Sequence, residues 1–378
     1  MVIGINGYEA VVPRFGFDPV TGLPRRVGSS EYCFQLLLNL NKIDRKNNYL
    51  VYLPEKPTAD LPEESANWHY KVVRPRKMWT LFGLSLEFLL QRSKPDVFFS
   101  PTHYLPLFAP KKSVISILDV SYLKFPELFS SYDLNQLTKW TRYSVKKALK
   151  VFTISKASKD DIIKTYGIAG DRVVVTYPGI RKTINDKQKA LGMNEIKKKY
   201  GITKNYILFV GTLQPRKNIA RLIEAFSLLK GETELVIIGK KGWMYEEILA
   251  TPKRFGVGNK VKFLDFVPDE DLSVFYKNAL CFVLPSLYEG FGLPILEAMS
   301  YGCPVIASNI SSLPEAGGDA ALYVDPMNVQ DIKKNLEKII TDSKLREQLI
   351  KKGYEQIKKF SWEKTAKETL RALESIKQ

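Results

Sequence analysis

The chain is poor in the residues that most often carry out chemistry. Its 378 residues include two histidines and three cysteines, so a centre built on several imidazoles or a zinc cluster has almost nothing to draw on. Cys33, Cys281 and Cys303 are odd in number and never fall at Cys-x-x-Cys spacing. That excludes a disulfide framework, and buried free thiols are expected. No uninterrupted apolar run reaches the roughly 18 residues that a membrane span needs. The opening "MVIGING" reads as a strand rather than as a charged leader before an apolar stretch. A cytoplasmic protein is expected. Low-complexity tracts and short-period repeats are also missing, so the whole chain should fold.

What the chain has in excess is positive charge. The net charge is +17, and residues 1 to 190 hold 29 Lys and Arg against 17 Asp and Glu. A basic half attracts something anionic: nucleic acid, a phosphorylated substrate or the anionic leaflet of a membrane. No helix-turn-helix, zinc-finger spacing or base-stacking motif accompanies the charge, so no nucleic-acid partner is expected. Lys139, Arg142, Lys146 and Lys150 form one stripe on a predicted helix whose other face carries Leu134, Leu137, Val145 and Leu149. "RPRKMWTLFGLSLEF" sets cations ahead of an apolar helix. Both patterns suit a possible anionic membrane surface, and both also suit a solvated helix face beside an ordinary core helix.

The length and the 45% hydrophobic content allow two domains. Strands are predicted at "VIGIN", "YLVYL", "YKVV", "DVFFS", "SVISIL", "KVFTI" and "RVVVTY", then at "YILFVG", "ELVIIG", "KVKFL", "LCFVLP" and "PVIAS". Most are apolar along their whole length, which means burial on both faces and therefore a parallel sheet between helices. The fold class is α/β, with two Rossmann-like doubly wound domains facing a central cleft. The polar segment from Gly179 to Asn194 is the expected linker, with the domain boundary at 185/186. Ligands of such sheets bind beyond the carboxyl ends of the strands.

Two stretches carry the chemistry. In "VGTLQPRKN", Pro215 favours a helix start and puts Arg216 and Lys217 in the first turn, where cations oppose the helix dipole. An anion such as a diphosphate would offset that mismatch, although two solvated cations remain the plain alternative. In "LYEGFGLPILEAMSYGCPVIASN", Gly290 and Gly292 allow a tight turn and Pro294 opens a helix near Leu293. The helix amides then face the turn. Glu289 before it and Glu297 inside it can each accept from the hydroxyls of a sugar or ribose, or can simply cap the helix and complement its dipole.

These residues, with "FVPDEDLSVFYKNA" and "SSLPEAGGDAALYVDP", resemble the nucleotide-sugar domain of glycosyltransferase family 4, the retaining group 1 transferases of GT-B architecture. The likeness is dense over residues 204 to 330 and weaker through "ILDVSYLKFPELF" and "FTISKASKDDI". The resemblance implies that Glu297 binds the donor ribose and that Glu289 and the backbone of Phe291 and Gly292 hold the donor sugar. The amide of Leu293 belongs to the same turn. Arg216 and Lys217 would bind the diphosphate beside Gly211 and Thr212, and Phe266 and Val267 would lie against the base. It further implies front-face transfer with no protein nucleophile, no cofactor and no metal, the cations replacing a metal ion. Residues 361–378 would return to the first domain (1–185), leaving 186–360 as the donor domain.

The first half, expected to bind the acceptor, matches less closely. Related transferases commonly carry a His-Asp pair where this chain has Leu118 and Asp119, so any imidazole must come from elsewhere. His103, just past a strand end, is the candidate, and His69 reads as structural. Gly28 in "RRVGSSEY" resembles the glycine loop that approaches the diphosphate, with Arg25 and Arg26 nearby. The pattern is similar to bacterial mannosyltransferases of surface-polysaccharide pathways, which implies GDP-mannose as donor and a glycan or lipid-linked acceptor. UDP-glucose and UDP-N-acetylglucosamine are the alternative donors. An epimerase, a phosphorylase, an inactive partner subunit and a basic nucleic-acid or membrane-surface binding protein without transferase activity are the competing classes.

Overall fold

The computed structural model describes residues 1–12, 16–18, 21–180 and 192–376. It divides into two compact units, Met1–Gly179 with Ser361–Gln378, and Ile180–Phe360. The boundary expected at 185/186 lies outside the described residues.

Seven strands make the first sheet: β1 (Val2–Asn6), β2 (Asn48–Leu53), β3 (Trp68–Val72), β4 (Val97–Ser100), β5 (Ser113–Ser116), β6 (Lys150–Thr153) and β7 (Val173–Val175). Their order is β3-β2-β1-β4-β5-β6-β7, with every pairing parallel. β4 and β5 are buried at every position, as strands covered by helices on both faces must be. Six strands make the second sheet: β8 (Tyr206–Val210), β9 (Glu234–Ile238), β10 (Val261–Leu264), β11 (Cys281–Leu284), β12 (Val305–Ser308) and β13 (Ala321–Val324). Their order is β10-β9-β8-β11-β12-β13, again parallel throughout. β13 is absent from the sequence-based set. It is a four-residue edge strand, buried only at its two ends, although its run Ala-Leu-Tyr-Val is as apolar as those of its neighbours.

The helix Trp362–Glu374 begins at the Ser361 cap, whose hydroxyl accepts from the Lys364 amide at 3.2 Å. It packs on the helix Ser29–Ile43 through Trp362, whose ring lies 6.1 Å from that of Tyr32. Thr365 donates to the carbonyl of Tyr177 at 2.5 Å, and Asn47 donates to Glu374 at 3.0 Å. The last helix is thus part of the first unit. The basic stripe read from the sequence is shorter than expected. The helix Ser131–Lys147 ends before Leu149 and Lys150, so Lys150 opens β6 and Leu149 is exposed instead of helping to line the helix's apolar face. A mean spacing of about 3.6 residues cannot reveal where the helix stops.

Gly179 fits closely against this last helix: a Cβ there would lie 2.0 Å from the Trp362 amide nitrogen and 2.7 Å from its indole. Gly179→Ala should therefore destabilise the protein by about 1–3 kcal/mol or more. Gly258→Ala, where a Cβ meets nothing within 4 Å, should be nearly neutral. Thermal unfolding of the two variants checks this, and equal midpoints would refute the close fit.

Candidate functional site

In the second unit the strand order reverses between β8 and β11, the position where open α/β sheets leave a crevice at their carboxyl ends. The loops that leave these two strands are tied together there. Residues Pro215–Lys217 form a single 3₁₀ turn, Asn218 is left-handed at φ 59°, and the following helix starts only at Ile219. Arg216 and Lys217 therefore stand ahead of the helix and not in its first turn. The expected conflict with the helix dipole is not what governs them. Buried Asn218 tolerates the left-handed backbone, and its side-chain amide donates to the carbonyls of Pro285 at 3.0 Å and Pro326 at 2.7 Å. One residue thus pins the loops after β8, β11 and β13.

The two cations are held by Glu289. Lys217 Nζ lies 2.5 Å from Glu289 Oε1, and Arg216 Nη1 lies 3.0 Å from Oε2. Arg216 also donates to the carbonyl of Tyr288. Ser286 donates to Oε1 at 2.7 Å, while Ser311 and Ser312 donate to the Glu289 carbonyl at 2.7 and 2.8 Å. All three charged side chains are largely buried. Burial alone would raise the carboxyl pKa, but Lys217 and then Arg216, with hydrogen bonds from Lys217 and Ser286, pull it down from 4.5 to about 2. Among these three side chains, one positive charge is in excess. Ser311, Ser312 and Asn218 were invisible as site residues in the sequence, because nothing in their spacing links loops some 20 to 110 positions apart; Ser286 stands only three positions from Glu289 and was passed over.

Gly292 precedes the helix Leu293–Ser300 at φ 103°, and a Cβ there would meet Leu313 at 2.7 Å. Gly290 is not among the residues with a positive φ, so the turn's need for glycine rests on Gly292. Phe291 is buried against Phe360, ring centroids 5.3 Å apart. Glu297 is half-buried in the same helix. Burial and then the nearby Glu297 carboxylate raise the Tyr276 hydroxyl well above the usual phenol range. Thr212 is exposed after Gly211, and beyond β10 Phe266 is exposed while Val267 is buried. Trp243, beyond β9, is 62% exposed. Its neighbour Gly242 donates to the Leu213 carbonyl at 2.9 Å, which fastens this loop to the one carrying Arg216 and Lys217. Trp243 was passed over in the sequence, although its place four residues after "ELVIIG" puts it in the loop at that strand's carboxyl end.

In the first unit, His103 follows β4 and Asp119 follows β5, and both flank Tyr122. The His103 ring is 5.9 Å from that of Tyr122. Burial foremost, with a contribution from Asp119, raises the Tyr122 hydroxyl pKa. Asp119 accepts from the Ser121 amide at 2.8 Å. Gly28 caps the helix Ser29–Ile43 at φ 57° with open space where a Cβ would stand. Arg26 is committed elsewhere: its guanidinium pairs with Asp60, bonds Thr58 and the Ala10 carbonyl, and lies 3.9 Å over the Phe34 ring. The Asp-x-Asp spacing at Asp269 and Asp271 is no free metal motif, since Asp271 pairs with Lys199 at 2.6 Å and accepts from Tyr200 at 2.7 Å. Among the described residues no group of three His, Cys, Asp or Glu is placed to hold a metal ion.

Two doubly wound parallel sheets define an α/β protein of the kind that binds nucleotides at strand ends. The family description "Glycosyl transferases group 1" matches residues 192–356, and "Glycosyltransferase Family 4" matches residues 28–183. The O-antigen chain mannosyltransferase B of Escherichia coli is 34% identical over 308 residues, covering 80% of this chain and 78% of that one. The serotype-specific mannosyltransferase WbdA of Escherichia coli is 36% identical over 253 residues, covering 65% of this chain and 30% of that longer one. Among solved structures, that of WaaG, a glycosyltransferase involved in lipopolysaccharide biosynthesis, agrees with a TM-score of 0.71 at 18% identity, over 100% of this chain and 99% of that one. The chain belongs to the group 1 glycosyl transferases, and its fold is GT-B. It is a glycosyltransferase enzyme.

The charge arrangement around Glu289 has a pH signature. Its pKa is depressed on folding, so the stability it contributes is fully present above about pH 4.5 and is lost as pH falls toward 2. The stability gap between the native protein and Glu289→Gln should therefore shrink by roughly 3 kcal/mol over that window. Denaturant unfolding at a series of pH values measures it. A gap independent of pH would mean that the carboxylate is not held ionised by the two cations.

Proposed function

We propose that this enzyme transfers a mannosyl group from GDP-mannose to a glycan or lipid-linked acceptor, with retention at the anomeric carbon and without a metal ion. The observation that carries the reading is the Arg216–Lys217–Glu289 cluster at the β8/β11 switch point. The names of the two Escherichia coli mannosyltransferases support the sugar.

In this reading the donor diphosphate binds over the 3₁₀ turn. Arg216 and Lys217 face it, and the amides of Gly292 and Leu293 at the helix N-terminus complete the cradle. As the glycosidic bond breaks, negative charge grows on the leaving diphosphate, and fixed cations lower the barrier by stabilising it where it develops. The diphosphate oxygen then helps to take the proton of the attacking hydroxyl on the same face, so no protein nucleophile is needed. Glu289, kept ionised, accepts from a hydroxyl of the donor sugar while it positions the two cations. Glu297 accepts from the ribose. The base lies against Phe266 and Val267, with Trp243 as a further stacking surface. Gly211 and Thr212 give the diphosphate close access to the backbone. On the acceptor side, Asp119 and His103 orient the incoming hydroxyl, and the first unit is the acceptor domain.

The test is a binding and turnover screen of GDP-mannose, GDP-fucose, UDP-glucose, UDP-galactose and UDP-N-acetylglucosamine beside Glu297→Ala and Lys217→Ala. GDP-mannose should be selected, Glu297→Ala should weaken its binding, and Lys217→Ala should lower kcat by about 10²–10³-fold. Activity should persist in chelator, and the product should keep the donor's anomeric configuration by NMR. Selection of a UDP-sugar would overturn the donor assignment, and indifference to all five would overturn the donor site.

A further inference from the structure

The helix Gly83–Leu90 is apolar on both of its sides. Gly83, Leu84, Ser85 and Phe88 are buried, and Leu84 and Phe88 belong to the core of the first unit. The outward positions Phe82, Leu86, Leu89 and Leu90 follow i, i+4, i+7 and i+8, and each is between 47% and 71% exposed. Single exposed leucines are ordinary, but an unbroken apolar face on one helix is not. The neighbouring loop extends this face. The Leu107 amide donates to Ser85 Oγ at 2.7 Å, which brings the half-exposed Phe108 to the flank of the helix.

Cations flank this helix and its neighbouring loop along the chain, Arg76 among them paired with Glu55 at 2.7 Å. Arg74, Arg76 and Lys77 precede the helix, Arg92 and Lys94 follow it, and Lys111 and Lys112 follow the Phe108 loop; all are exposed. Tyr143 and Lys147 of the helix Ser131–Lys147 donate to the Leu107 carbonyl at 2.9 and 3.2 Å. Lys139 and Lys146 share that helix face by spacing. The carboxylates of the segment are occupied: Glu87 pairs with Lys71 at 2.6 Å, and Asp96 accepts from the Val2 amide at 2.7 Å.

We propose that this face docks the enzyme on an anionic phospholipid bilayer, with Phe82, Leu86, Leu89, Leu90 and Phe108 entering the acyl boundary and the surrounding cations at the level of the lipid phosphates. An apolar helix side bordered by Lys and Arg has the chemistry of an interfacial helix, and no described helix is long and apolar enough to cross the membrane. A second copy of the chain is a poorer occupant. Two such faces brought together would oppose two sets of cations across the contact. The proposal holds whichever sugar is transferred.

Co-sedimentation of the full chain tests it, using vesicles of phosphatidylcholine alone and vesicles mixed with phosphatidylglycerol. The enzyme should partition onto the mixed vesicles and not onto the neutral ones. The double variant Leu86→Glu/Leu89→Glu and the double variant Lys111→Glu/Lys112→Glu should each weaken binding about tenfold or more. Thermal unfolding and donor binding of both variants should match the native protein, because every substituted side chain is exposed. Binding lost with the lysines but indifferent to the leucines would overturn insertion in favour of charge alone. A native dimer in light scattering that Leu86→Glu/Leu89→Glu dissociates would overturn the lipid in favour of a second copy, and absence of the protein from both vesicle types would overturn the surface itself.

Discussion

The second unit is organised around one carboxylate. Glu289 holds Lys217 and Arg216 on its two oxygens, and its own backbone is fixed by Ser311 and Ser312. Two cations cannot be kept largely buried side by side without a counter-charge. With it they become a pre-formed positive site, and the loops leaving β8, β11 and β12 acquire a reason to meet. Asn218 reinforces the arrangement by bonding the loop that follows β13 through the Pro326 carbonyl. The same carboxylate that steadies the cations is the acceptor proposed for the donor sugar, so the stability of the crevice and its chemistry share one group.

That arrangement relies on the sheet beneath it. A strand order that reverses between β8 and β11 directs successive loops to opposite sides and leaves their carboxyl ends apart at this one position. The first unit has the same geometry at β1 and β4, where Asn6 donates to Ser100 at 2.9 Å across the reversal. There the charge is different. His103 and Asp119, an imidazole and a carboxylate, follow β4 and β5 beside the buried Tyr122, whose hydroxyl pairs with that of Tyr166.

Charge outside the sites also divides by unit. The excess of Lys and Arg in the first half is large, and part of it borders the apolar side of Gly83–Leu90. Cations in water are only solvated residues. Cations close to exposed leucines make up the docking face proposed above. Only the fold distinguishes the two cases, since a helix that is apolar all round reads in sequence as a buried one.

Sequence alone determined the α/β class, the two doubly wound units and the family, because strands buried on both faces need continuous apolar runs and the turn around Glu289 to Gly292 keeps its own local spacing. It also marked Glu289, Arg216 and Lys217 as the centre of the site. Their local setting was misread: Arg216 and Lys217 appeared to open a helix, whereas Asn218 ends their turn and the helix starts one residue later. β13, a short edge strand, was missed although its run is apolar, and Lys150 was carried past the end of its helix. Only the tertiary structure decided that the anion opposite the two cations is a side chain of the protein itself, that Ser311 and Ser312 from the loop after β12 fix its backbone, and that His103 and Asp119 share a neighbour. Those facts depend on contacts between residues far apart in the chain, and periodicity and spacing report only on residues within a turn or two of each other.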